Sequence, residues 1–87
     1  MIRVLIADSD PTARKALARL LAHRLGINCI AEAGDFETLI QSLADAPPDL
    51  LLLDWRLEGS PAPDAFQLLQ KAYTDLRVVL LSVDAED

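Results

Sequence analysis

Residues 50–54 read Leu-Leu-Leu-Leu-Asp, four apolar side chains closed by a carboxylate. A strand that is apolar at every position, rather than at every second one, suits a parallel sheet covered on both faces. A charge at the carboxyl end of such a strand lies where open α/β sheets place their ligands. The pattern recurs twice. Residues 2–7 are apolar except for Arg3 and lead to Asp8, and residues 78–81 lead to Ser82. Asp8, Asp54 and Ser82 are therefore expected side by side on one rim.

Between these runs the apolar period becomes helical. Asp10 and Pro11 are suited to open a helix whose expected buried face carries Ala13, Leu17, Leu20, Leu21 and Leu25, with Gly26 at its end. Residues 27–31 are the predicted second strand. Gly34-Asp35 ends it and caps a helix bearing Phe36, Leu39, Ile40 and Leu43, which Pro47-Pro48 stops. Residues 59–63 form a loop before a third helix, with Phe66, Leu68, Leu69, Ala72 and Tyr73 as its expected core side chains. Residues 78–83 give the fourth strand. The resulting βαβαβαβ order requires parallel strands and right-handed crossovers. In strand order 2-1-3-4, the first, third and fourth strands adjoin and their polar ends share the rim.

The 87 residues are read as one domain, of a size that buries only about 60–65% of its unfolded surface. The net charge of −6 argues against a direct nucleic-acid partner and suits a site that holds a cation. Cys29 is the one cysteine, which excludes an internal disulfide and points to a reducing, cytoplasmic setting. Its apolar surroundings suit a small buried hydrophobe. No secretory signal is visible, and no apolar run approaches the roughly 20 residues needed to cross a bilayer.

The chain resembles the receiver domain of two-component response regulators, a flavodoxin-like doubly wound fold. The match is carried by Val4-Leu5-Ile6-Ala7-Asp8 with Pro11-Thr12-Ala13-Arg14, by Pro48-Asp49 and the run through Asp54, and by Leu76-Arg77 and the run through Ser82. The resemblance implies that Asp54 accepts a phosphoryl group from a histidine kinase or phosphotransfer protein, and that Ser82 hydrogen-bonds the phosphoryl oxygen. It also implies Mg²⁺ held by Asp8, by Asp54 and by the main-chain carbonyl of Arg56. Such a domain carries signals in a phosphorelay and is not a turnover enzyme.

Three departures stand out. Ser9 occupies the place of the second acid of the metal-binding pair, with Asp10 next to it as either a compensating ligand or a helix cap. The usual Met-Pro after the phosphoacceptor reads Leu57-Glu58, and the loop beyond it is longer. The pattern stops after the fourth strand, without the family's last helix-strand-helix and its phosphoryl-contacting lysine; Lys15 and Lys71 both fall within helices. On that pattern the fourth strand is an open, apolar edge. A homodimer through it and through an uncovered face of strands three and four is expected.

Trp55 is expected as a partly exposed ring, His23 as a solvated group near a helix end, and Arg14, Lys15 and Arg19 as a solvated face. Two other functions compete. The chain is alternatively an unphosphorylated receiver-like interaction module. Asp8-Ser9-Asp10-Pro11-Thr12 also resembles the nucleophile motif of haloacid-dehalogenase-like phosphatases, with Asp8 as nucleophile and Asp10 as general acid. Helical periodicity directly after Asp10 leaves no room for that family's flap.

Overall fold

The structure, a computed structural model, describes residues 2–60 and 65–81, with the side chains of Cys29 and Ala65 outside the description. Strand and helix alternate as β1 (Arg3–Ala7), α1 (Pro11–Leu25), β2 (Cys29–Ala33), α2 (Phe36–Asp45), β3 (Leu50–Asp54), α3 (Ala65–Ala72) and β4 (Arg77–Leu81). All strand pairs are parallel, as the alternating pattern requires, and the order is the expected β2-β1-β3-β4. The expected burial of Cys29, much of loop 59–63 and the end of the fourth strand fall outside the described residues.

Successive strand residues face opposite sides of a sheet, so continuous apolar runs feed two cores. Leu5, Leu51 and Leu53 join Leu39 and Leu43 of α2 and Leu69 of α3 in one buried cluster. Val4, Ile6 and Leu52 form the other, against Leu17, Ala18 and Leu21 of α1. Each fully buried side chain of this kind contributes about 1.5–3 kcal/mol by leaving water. These two layers hold β1 and β3 in register, Val4 opposite Leu50 through Ala7 opposite Leu53.

Local chemistry sets the helix limits. Asp10 accepts from the Thr12 N–H at 3.0 Å, and Asp35 accepts from the Thr38 N–H at 2.7 Å. That cap bond holds the Asp35 carboxyl below its ordinary pKa. Gly26 adopts φ 68°, a left-handed conformation that costs glycine little, and its N–H closes on the Ala22 carbonyl at 3.1 Å.

Several expectations need correction. β2 begins at Cys29 rather than at residue 27, because the Ile27 N–H is drawn to the Leu21 carbonyl at the helix end. The Ile27 side chain packs on the Val4–Ile6–Leu52 cluster. The stripe of α1 that packs on the sheet runs through Leu17, Ala18 and Leu21, each partly buried. Leu20 lies about 100° away around the helix, and Leu25 sits in the last turn; both are exposed, as is Ala13. In α3, Leu69 is buried, whereas Leu68 and Ala72 face outward. β3 is not bare on either face: Leu51, Leu52 and Leu53 are all buried, because α1 reaches across to Leu52. Exposure is confined to β4, where Val79 and Leu80 are each about half exposed, 46% and 48%. No helix among the described residues is long and apolar enough to cross a membrane.

The corrected packing separates two leucines by burial. Leu51→Ala should lower unfolding free energy by about 2–5 kcal/mol in denaturant melts, whereas Leu20→Ala should stay within about 0.5 kcal/mol. Equal losses at the two positions would contradict the assignment.

Candidate functional site

The carboxyl ends of β1 and β3 place Asp8 and Asp54 together. The register that sets Ala7 opposite Leu53 carries the chain one residue further to the two carboxylates. With Asp10, Ala13 and Arg56 they line a cavity of about 170 Å³. Asp8 is buried, the one charged residue among the described residues to be so, and its Oδ1 accepts from the Asp10 N–H at 2.9 Å. Asp54 is half-buried and accepts from the Arg56 N–H at 3.2 Å.

This setting raises the pKa of Asp54. Burial is the first cause, and the hydrogen bond from the Arg56 N–H opposes it. The Asp8 carboxyl then adds repulsion and a hydrogen bond that favours the protonated acid, while the Arg56 charge pulls the other way. Two carboxylates share one small cavity, where the Arg56 charge offsets their repulsion only in part. A hard divalent cation would relieve that repulsion, and a pair of carboxylates is a donor set that suits Mg²⁺. No three acidic, histidine or cysteine side chains among the described residues gather as a metal cluster. The fit therefore rests on the Asp8–Asp54 pair.

Of the remaining candidates, Asp10 caps α1 and also lines the cavity, so both of its readings keep support. Ser9 points its Oγ to the N–H of Glu58, which donates at 2.8 Å. Ser82 lies outside the described residues. Trp55 is 44% exposed, with the Arg56 guanidinium 5.1 Å from its ring centre, a cation–π contact. His23 is exposed, as expected. Lys15 lies 3.6 Å from Glu32 and Lys71 is exposed in the last turn of α3; neither lines the cavity.

Arg14 was expected on a solvated face and is instead part of the site's frame. Its Nη1 donates to the Asp8 carbonyl at 2.8 Å and its Nε to Glu32 Oε1 at 2.8 Å. The Arg14 hydrogen bond is the first cause that holds the Glu32 carboxyl below its ordinary pKa; burial opposes it, and the charges of Lys15 and Arg14 add to the lowering. A Cβ on Gly34 would stand 3.2 Å from Arg14 Nη1, so the missing side chain makes room for the guanidinium. A charge within β2 was the available sequence signal, since a glutamate inside a strand needs a partner.

Residues 4–87 match the family model described as the response regulator receiver domain. The chain belongs to that family. The response regulator GacA of Pseudomonas viridiflava is 30% identical over 87 residues, all of this chain and 41% of GacA. The signal receiver domain of NarL from Mycobacterium tuberculosis superposes with a TM-score of 0.81 at 27% identity, covering 98% of this chain and 68% of that one. The isolated REC domain of RcsB from Salmonella enterica serovar Typhimurium shares the fold at a TM-score of 0.84 and 20% identity, over 98% of this chain and 64% of that one. The chain spans less than half the length of the curated relatives it matches. Receiver membership displaces the phosphatase alternative, and α1 beginning at Pro11 leaves no insertion after Asp10.

The raised Asp54 pKa gives this receiver domain a signed pH response. Asp54 holds a proton more tightly when folded than when unfolded. Its stabilising contribution is therefore full below the unfolded value, about 3.9, and is lost as pH rises through the higher folded value. Asp54→Asn should thus gain stability relative to the wild type as pH climbs through that window. Denaturant melts across pH should show the gap opening. A gap constant with pH would contradict the shift.

Proposed function

We propose that this receiver domain takes a phosphoryl group on Asp54 from a histidine kinase or phosphotransfer protein. The observation that supports this most is the convergence of Asp8 and Asp54 on one cavity at the carboxyl ends of adjacent parallel strands. An Asp54 oxygen attacks phosphorus, and its O–P bond forms as the donor's bond to phosphorus breaks. The product is an acyl phosphate, reactive enough for a reversible signal. The Arg56 N–H steadies the attacking carboxylate, and the buried Asp8 keeps its position through the Asp10 N–H.

Asp8, Asp54 and the Arg56 carbonyl are the groups that would hold Mg²⁺, which when bound neutralises charge on the phosphoryl oxygens. Ser82, next in sequence after β4, is proposed to donate to one of those oxygens. Mass spectrometry after treatment with acetyl phosphate and Mg²⁺ tests the reading. The wild type should gain one phosphoryl group, and Asp54→Asn should gain none. An unlabelled wild type would favour the receiver-like interaction module instead.

The proposal includes a second copy as partner. Among the described residues β4 is the outer strand beside β3, and it carries Val79 and Leu80 half exposed on alternate faces. An apolar strand with open backbone donors and acceptors pairs readily. Light scattering at high concentration should give a dimer mass that Leu80→Lys returns to monomer; a wild-type monomer would contradict this contact.

A further inference from the structure

The loops after β1, β2 and β3 meet at the residue Glu58. Its N–H donates to Ser9 Oγ at 2.8 Å, across 49 positions of sequence. Its carbonyl accepts from the Phe36 N–H, also at 2.8 Å. The segment from Asp54 is fixed step by step. The Trp55 N–H reaches the Leu81 carbonyl at 3.2 Å, the Arg56 N–H reaches Asp54 Oδ1, and the Leu57 N–H reaches the Asp54 carbonyl at 3.0 Å. Leu57 is 3% exposed, so its side chain anchors the turn in the core, and Gly59 at φ 78° lets the chain leave it.

We infer that Ser9 is a positioning residue for Asp54, with its hydroxyl committed to the Glu58 N–H rather than to a metal. The inference rests on the phosphoacceptor reading above. Among the described residues, Ser9 supplies the side-chain hydrogen bond that ties the β3–α3 loop to the β1–α1 loop. The loop held in this way carries the Arg56 N–H that donates to Asp54 Oδ1. A carboxylate at position 9 would add a further negative charge beside Asp8, Asp10 and Asp54, whereas a hydroxyl accepts the same N–H without charge. A proline at position 58 would have no N–H to give. Serine at 9 and glutamate at 58, two separate departures in the sequence, are therefore the two halves of one bond.

The test compares Ser9→Ala with Ser9→Thr, which keeps a hydroxyl, and adds Glu58→Pro and the Ser9→Ala/Glu58→Pro double variant, each checked for folding by thermal melt. Amide hydrogen exchange at Phe36 and Leu57 should quicken about fivefold to tenfold in Ser9→Ala, the equivalent of one hydrogen bond. Ser9→Thr should restore it, and the double variant should be no faster than either single one. The rate of Asp54 labelling by acetyl phosphate should fall in Ser9→Ala and recover in Ser9→Thr. A wild type that labels at a rate unchanged in Ser9→Ala would overturn the role of Ser9 alone. Exchange effects that multiply in the double variant would do the same. A wild type that takes no label overturns the phosphoacceptor reading itself, and is seen without any variant.

Discussion

Parallel pairing of β1 with β3 is the constraint on which the site depends. β1 beyond Arg3 and β3 are apolar up to Asp8 and Asp54, so the register that pairs Ala7 with Leu53 brings the two carboxylates to one rim. A slip by one residue would send the leucines of β3 to the opposite face and split the two buried clusters. The core therefore fixes the site, and the cost of two neighbouring carboxylates falls on a region that the core already holds. That cost is visible in the raised pKa of Asp54, whose causes begin with burial and include the Asp8 charge.

Around this pair the backbone is held by polar ties, from side chains and from other main-chain groups, as well as by packing. Arg14 binds the Asp8 carbonyl on one side and Glu32 on the other, which joins α1, the end of β1 and β2. Ser9 joins the β1–α1 loop to Glu58, and Glu58 joins Phe36 at the start of α2. Polar ties of this kind are geometrically specific where apolar contact is not. They suit a site in which two carboxylates are held at a fixed spacing.

Most of the architecture was legible in the sequence because its signals are local. The leucine run through Asp54, the Asp10 and Asp35 caps, Gly26 and the double proline each state their roles within a few residues. Three features escaped because they depend on tertiary partners. The start of β2 follows the Ile27 N–H, which the helix end captures. The turn of α1 away from Leu20 follows the shape of the sheet beneath it. Arg14 looked like solvated charge because its partners lie on another strand and on a main-chain carbonyl. At the site, Asp8 and Asp54 could be read from strand ends, but the commitment of Ser9 to Glu58 could not, since it spans 49 positions.

The central proposal is that Asp8 and Asp54 together hold a cation, and Mg²⁺ titration followed by Trp55 fluorescence addresses it directly. Trp55 is the residue after Asp54, and its ring rests against Arg56, whose backbone faces the cavity. The account predicts a saturable change in the wild type that weakens strongly in Asp8→Asn, because one of the two charged ligands is gone. An identical titration in wild type and Asp8→Asn would contradict it.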